Sequence, residues 1–170
     1  MQITHICKPR LKNSYISVDK SANIVLKTPK VSSSYIQKLL TQKENWIQKK
    51  LKQIEINPPI VLSLDNIHDA KNLVYLQQRV EFFASIMQLK YSELKFRKMK
   101  SRWGSCNSRG TITLNKKLIN TPKECIDYVV VHELAHLVYM NHSKKFHLLI
   151  DKYICDAKQA KEMLSRVVFI

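Results

Sequence analysis

The chain has very little glycine, with two glycines among 170 residues. The usual share of glycine is about 7%, so glycine-rich phosphate-binding loops are not expected. Neither G-x-G-x-x-G nor G-K-[ST] occurs in the sequence. The sequence therefore argues against a nucleotide-dependent enzyme of the kinds that use those loops.

Paired cysteines and long apolar runs are also missing. Cys7, Cys106, Cys125 and Cys155 are widely separated and form no C-x-x-C pair, whereas a secreted domain of this size usually depends on several disulfides. No apolar run reaches the length that crosses a bilayer, and no basic leader with an apolar segment opens the chain. We therefore expect a cytoplasmic protein with free thiols and no membrane partner.

Acidic residues are scarce: the chain has 13 aspartates and glutamates against 29 lysines and arginines, which gives a formal charge of +16. Nine basic residues and no acidic one lie between Leu94 and Lys123. Such an excess favours anionic partners, so nucleic acid and nucleic-acid-bound proteins are candidate partners. A lysine-rich composition without any binding role explains the charge equally well.

The first third of the chain has the pattern of a β-hairpin followed by a helix. Apolar residues in Tyr15–Val18 and Ile24–Leu26 flank a polar turn at Asp19–Asn23. Ser32–Ser34 then offers helix caps, and apolar residues recur at helical spacing from Tyr35 to Ile54. The pattern predicts one hairpin and one amphipathic helix.

Asn57-Pro58-Pro59 ends that helix, because proline removes a backbone donor and restricts the residue before it. It is also the best candidate for a boundary between two lobes. We predict an N-terminal strand and helix lobe at residues 1–56 and a catalytic core at residues 60–170.

The rest of the chain separates helical from strand patterns. A second amphipathic helix fits Leu73–Met87, and Leu94–Met99 and Thr111–Asn115 have the pattern of strands joined by a loop at Ser101–Gly110. Because strands and helices are segregated rather than strictly alternating, the sequence predicts an α+β fold. The expected sheet is small, antiparallel or mixed, and packs on the helix described next.

A strong helix start precedes the most informative motif. Thr121 stands at the expected N-cap, Pro122 at the first helical position and Glu124 three residues after the cap, which is a capping box. The predicted helix runs to about Tyr139, and Ser143 offers the cap of another helix. Residues 129–138 are uncharged apart from the motif itself, which indicates a buried helix.

His132-Glu133-Leu134-Ala135-His136 is an H-E-x-x-H motif within that helix. Residues four apart lie on one helix face about 5–6 Å apart, so both imidazoles can bind one zinc ion at about 2.0–2.1 Å. Glu133 projects about 100° away from His132 and can take a proton from a zinc-bound water. Buried histidines and a buried glutamate also need partners. The motif predicts a zinc metallopeptidase with Glu133 as its catalytic base.

A peptidase zinc site needs a third protein ligand, and His142 is the preferred candidate. It lies ten residues after His132, the offset used by metzincins, although the metzincin glycine is replaced here by Tyr139. The turn could instead place Asn141 in a left-handed conformation. The spacing leaves other candidates open: His147, Asp151, Asp156, Glu162 and Cys106.

Four segments together resemble the YgjP-like metallopeptidase family, which is related to the WLM and SprT zinc peptidases. They are Ser101–Cys106 (S-R-W-G-S-C), Thr111–Asn115 (T-I-T-L-N), His132–His136 and Asn141-His142-Ser143-x-x-Phe146. The resemblance begins near Ser14 and is specific in the last seventy residues. It implies that His132, His136 and His142 bind zinc and that Glu133 is the catalytic acid and base. One departure is His147, where the family usually has tryptophan.

Substrate contacts are also predicted. The predicted strand Thr111–Asn115, which includes Leu114, precedes the zinc helix. An edge strand in this position could pair with an extended segment of a peptide or protein substrate. Arg102 and Trp103 are placed to line the cleft, and His147 would add a polar group beside it. A purely structural role for Trp103 is the competing interpretation.

Two other functions fit parts of the sequence. A deformylase-like amidohydrolase would use Cys106 as its third ligand, but the glycine-rich and E-G-C-L segments of deformylases are absent. A nucleic-acid-binding domain with a structural zinc would suit the basic charge. Structural zinc sites are usually closed sets of four cysteines and histidines, whereas here three clustered histidines stand beside a glutamate.

Overall fold

A computed structural model describes residues 2–63 and 70–169 of the chain. The chain divides into two compact units, Met1–Ile60 and Val61–Ile170. The predicted division into a strand and helix lobe at residues 1–56 and a metallopeptidase core at residues 60–170 stays a prediction.

The first unit contains a three-stranded sheet in the order β1-β3-β2, formed by β1 (Ile3–Cys7), β2 (Tyr15–Val18) and β3 (Ile24–Thr28). The hairpin is confirmed, because β2 runs antiparallel to β3. At its turn, Asp19 Oδ1 accepts hydrogen bonds from the backbone N–H groups of Ser21 and Asn23, at 2.9 and 2.8 Å. Strand β1 was not predicted, because it pairs in parallel with β3 rather than with a sequence neighbour.

Two helices complete this unit where one was predicted. Helix α1 (Ser33–Gln42) begins as expected, since the Ser32 hydroxyl accepts a hydrogen bond from the Tyr35 N–H. It ends at Lys43, and α2 (Glu44–Ile56) begins directly afterwards. The prediction of a single helix was wrong because neither proline nor glycine marks the break. The Lys43 N–H bonds to two carbonyls of the preceding turn, each at 3.1 Å.

The second unit contains most of the described helices and two small sheets. Its elements are β4 (Ile60–Leu62), α3 (Ala70–Met87), β5 (Glu93–Arg97), β6 (Gly104–Cys106), β7 (Thr111–Asn115), a 3₁₀ turn (Lys116–Asn120), α4 (Lys123–Ala135), α5 (Lys144–Tyr153), α6 (Ala157–Arg166) and β8 (Val167–Phe169). Strands β4 and β8 pair, and the other three strands form a sheet in the order β5-β7-β6. The α+β prediction with a small mixed sheet is confirmed.

The sheet next to α4 corrects two predictions. Ser101–Gly110 was predicted as a loop, but it contains β6, which pairs antiparallel with β7. Thr111–Asn115 was predicted as an edge strand, but β7 is the central strand, because β5 occupies its other side in parallel. Three-residue β6 has too short a pattern to be recognised from the sequence.

Helix α4 lies at the centre of the core and packs against α3, α5, α6 and β6. Its predicted capping box was wrong: Pro122 is the N-cap, and the Thr121 hydroxyl donates to the Leu118 carbonyl at 2.7 Å. The Thr121 hydroxyl is therefore bonded to the preceding 3₁₀ turn and does not cap α4. The helix also ends at Ala135 rather than near Tyr139.

Candidate metal centre

Three histidines converge where α4 ends. His132 lies in the last turn of α4, His136 is its C-cap residue, and His142 lies in the segment that leads to α5. One potential ligand atom from each residue lies within 4.8 Å of the other two. The Nε2 atoms of His132 and His142 are 3.3 Å apart.

The end of α4 and the start of α5 bring His142 back to the helix. Beyond Ala135 the chain makes tight turns, with the Val138 and Tyr139 N–H groups bonded to the Ala135 carbonyl at 3.1 and 2.9 Å. Ser143 then caps α5 as predicted, its hydroxyl accepting from the backbone N–H of Phe146. Asn141 is not left-handed: among the described non-glycine residues, positive φ occurs at Ala22 and Gln88. The predicted conformation was wrong because helical turns reverse the chain without it.

The Phe146 ring packs against all three imidazoles. Its side chain is fully buried, and its ring centroid lies 5.0 Å from that of His132, 4.6 Å from His136 and 4.8 Å from His142. These are normal distances for packed aromatic rings. A single residue of α5 therefore restricts the orientation of the whole histidine cluster.

The cluster has the geometry that a metal ion requires. Two nitrogens bound to one zinc at about 2.0–2.1 Å in a tetrahedral site lie about 3.3–3.4 Å apart, which matches the Nε2 separation of His132 and His142. The Tyr139 carbonyl lies 3.0 Å from His136 Nδ1. A proton on Nδ1 then leaves the Nε2 lone pair free, and such a bond orients a metal-binding histidine.

The surroundings of two of these rings favour the neutral form. Burial lowers the pKa of His132 to about 4 and also lowers that of His142, with further lowering from nearby His136 and Lys161. Neutral imidazole is the form that binds metals. Nδ1 of His132 is buried without a hydrogen-bond partner among residues 2–63 and 70–169. The polar contact of that ring is therefore made through Nε2, toward His142.

Glu133 lies beside the cluster in an unusual environment for a carboxylate. Its side chain is 5% exposed, and burial raises its pKa to about 8 although the positive charge of Arg102 opposes that shift. It lies directly against β6, since a Cβ atom added to Gly104 would be 2.5 Å from Glu133 Oε1 and 2.6 Å from its Cγ. The missing side chain of Gly104 is therefore what makes room for Glu133.

A cavity of about 320 Å³ opens over the three histidines and Glu133. Strand β6 forms one wall, and Arg102 and Met140 also line it. Helix, strand and loop thus form a concave site with three imidazole ligands and one acidic group. Such a site can hold a cation and position a water molecule beside a carboxylate.

The structure separates the remaining predicted site residues into two groups. Arg102 lines this cavity and Trp103 lines an adjacent one. Leu114 is fully buried in the core because β7 is central, so its predicted contact with a substrate is wrong. The His147 ring lies 6.4 Å from that of His142 and outside the three-residue cluster.

None of the other candidate ligands joins the cluster in the described part of the chain. Cys106 lines the cavity, but its Sγ contacts the Asn107 carbonyl at 3.6 Å. A site that uses Cys106 in the manner of a deformylase is therefore not formed. All four cysteines are free thiols.

Two residues near the site were missed in the sequence. Gly104 was noted only as part of the S-R-W-G-S-C segment, although a chain with two glycines draws attention to each of them. Asn115 is buried, and its amide donates to the Met99 and Arg102 carbonyls at 2.9 and 2.7 Å. It holds the segment before β6 in place, a role that local sequence patterns do not reveal.

Comparison with known families agrees with this architecture. The YgjP-like metallopeptidase domain family matches residues 60–167, which is most of the chain. The protein therefore belongs to the YgjP-like metallopeptidase family, and the resemblance seen in the sequence is confirmed. A comparison with curated proteins found no match.

Several solved structures are similar to part of this chain. The zymogen of abylysin from Pyrococcus abyssi is 27% identical, covers 54% of this chain and 90% of its own, and has a TM-score of 0.47. The zymogen of jannalysin from Methanocaldococcus jannaschii is 24% identical over 53% of this chain and 95% of its own, with a TM-score of 0.46. Wss1 from Saccharomyces cerevisiae is 21% identical over 60% and 89%, with a TM-score of 0.44. The family assignment does not depend on these partial likenesses.

Within the described residues, no helix combines the length and apolar character needed to cross a membrane.

Proposed function

We propose that this protein is a zinc-dependent peptidase in which His132, His136 and His142 bind the metal and Glu133 is the general base. The observation that carries the proposal is a single cavity that contains all four side chains. Three imidazoles are the ligand set of an open zinc site, which leaves a coordination position for water. A structural zinc would not require a buried carboxylate beside it.

The metal and two side chains of the site have different roles in the proposed hydrolysis. Zinc, when bound, would polarise water and the peptide carbonyl and lower the pKa of that water toward about 7. Glu133 is held against the β6 backbone, where its carboxylate can accept a proton from the attacking water and return it to the leaving amine. Arg102, whose charge acts on Glu133, favours the ionised base.

The substrate-pairing strand should be β6 rather than β7. Strand β6 lies at an edge of its sheet, with flanking hydrogen bonds from Asn115 N–H to the Trp103 carbonyl at 2.8 Å and from Asn107 N–H to the Thr111 carbonyl at 3.2 Å. Polar backbone groups alternate in direction along an antiparallel strand. Trp103 and Asn107 therefore direct their backbone N–H and carbonyl groups toward β7.

By the same alternation, Gly104 and Cys106 direct their N–H and carbonyl groups toward the free edge of β6. Both residues line the metal cavity. An extended peptide that adds to this edge would lie across the histidines with its backbone hydrogen-bonded. The expected substrate is therefore an unfolded or extended segment of a peptide or protein.

The experiment compares wild-type protein with the Glu133→Gln variant, using metal analysis and cleavage of an unstructured protein such as casein. Wild type should contain one zinc per chain and lose cleavage when zinc is chelated. The variant should keep zinc and fold normally while cleavage falls by about 10²–10⁴-fold. Full cleavage by the variant would refute the role of Glu133, and loss of its zinc would make Glu133 structural.

A further inference from the structure

A second cavity of about 320 Å³ adjoins the metal cavity on the side of α6. Gly104, His132 and Glu133 line both cavities. A peptide bound at the metal centre therefore passes directly beside this second space. Its volume is at the lower end of the range for ligand pockets, which suits one side chain or a chain terminus.

The inner walls of the second cavity are largely apolar. Trp103, Val129 and Leu164 contribute indole and aliphatic surface. The Trp103 ring is held by Phe169 of β8, with ring centroids 5.6 Å apart. These walls favour the aliphatic part of a bound residue through burial of apolar surface.

The α6 side of the cavity carries polar groups. Lys161 and Ser165 line it and are four residues apart, so they share one face of the helix. Both side chains are exposed. Lys161 forms no ion pair with a carboxylate in the described part of the chain.

We propose that this second cavity is a carboxylate-binding subsite in which Lys161 recognises an acidic group next to the scissile bond. The inference rests on the proposed peptidase function and assigns a substrate preference to it. The carboxylate comes either from a glutamate or aspartate side chain or from the carboxyl terminus of the substrate. In both cases the apolar walls hold the carbon skeleton while the ammonium group of Lys161 meets the charge.

The arrangement of charges explains why an acidic group is preferred to a basic one. Glu133 lies where the two cavities meet, while Lys161 lies on α6. A basic side chain in this cavity would meet Lys161 as a like charge, and an amide would gain no ionic contact. The carboxylate is therefore the group that complements the α6 side of the cavity.

Binding can be tested independently of cleavage. In a Trp46→Phe, Glu133→Gln background, Trp103 is the single tryptophan and reports on occupancy by fluorescence. The probes are acetyl-Ala-Glu-Ala-amide, acetyl-Ala-Gln-Ala-amide and acetyl-Ala-Ala-Ala with a free carboxyl terminus. We expect at least one carboxylate probe to bind about 1.5- to fivefold more tightly than the glutamine probe, the range for an exposed ion pair.

Charge reversal then identifies Lys161. Lys161→Glu should remove the preference for carboxylate probes, whereas Lys158→Glu, the matched control on the same helix but outside the cavity lining, should retain it. Cleavage of a mixed peptide library should show the same dependence on Lys161. Protein with Lys161 should favour acidic residues next to the cleaved bond, and the Lys161→Glu variant, otherwise wild type, should favour basic ones.

The results distinguish the subsite from the peptidase activity. A preference for the glutamate probe alone assigns the subsite to acidic side chains, and a preference for the free terminus alone assigns it to substrate ends. Equal binding of all probes, no binding, or a preference that survives Lys161→Glu overturns the subsite. Carboxylate binding that depends on Lys161 without any peptide cleavage would support the subsite and count against the peptidase activity.

Discussion

Gly104→Ala is the substitution that most directly tests how Glu133 is held. The backbone of Gly104 is not left-handed, since Gly110 is the glycine with positive φ, so alanine meets no backbone strain. Its methyl group would lie 2.5 Å from Glu133 Oε1, 2.6 Å from Cγ and 2.8 Å from Cδ. Because all three atoms belong to one side chain, the carboxylate must move away from β6.

The stability change is a balance of two effects. Overpacking of a buried site costs about 1–3 kcal/mol, while replacing a strand glycine by alanine contributes about 0.5–1 kcal/mol of stability. The clash should dominate, and we expect a net loss of about 1–2 kcal/mol in urea unfolding. Activity should fall by up to the about 10²–10⁴-fold that a general base contributes, with bound zinc retained.

A double-mutant cycle shows whether the effect acts through Glu133. Glu133→Ala removes Cγ, Cδ and Oε1, so Gly104→Ala in that background should be neutral or slightly stabilising in the metal-free protein. The expected coupling is about 1–3 kcal/mol. An equal loss of stability in both backgrounds, or a fully active Gly104→Ala protein, would refute the reasoning.

Four further predictions follow from the site and its surroundings. His142→Ala should weaken zinc binding by more than about 100-fold, the upper range for losing a residue that only orients a metal ligand, and His147→Ala should not; a reversed order would reassign the ligand. Chelation should lower the free energy of unfolding by about 4 kcal/mol if free zinc had been 1,000 times Kd, and an unchanged Tm would contradict metal binding. Asn115→Ala should cost about 2–4 kcal/mol in urea unfolding, because it leaves the Met99 and Arg102 carbonyls without its amide; a neutral result would remove its structural role. Any binding of DNA or RNA by the basic stretch Leu94–Lys123 should weaken steeply with salt in a filter-binding assay, whereas absence of binding at low salt would leave the charge as a feature of composition alone.

The sequence by itself determined the metal motif. His132 and His136 are four residues apart on a helix, and that spacing brings their rings together whatever the rest of the fold does. The ten-residue offset to His142 and the Ser143 cap are local signals too, and the three histidines do cluster. Helical and strand periods likewise predicted the α+β class, because they depend on neighbouring residues alone.

Tertiary structure decided how the site is enclosed. Whether Thr111–Asn115 lies at an edge depends on β5 and β6 pairing beside it, and the burial of Leu114 follows from that pairing. The contact of Gly104 with Glu133 and the position of Lys161 beside His132 join segments about 30 residues apart. Local periodicity contains no information on such contacts, because they form only when separate elements pack together.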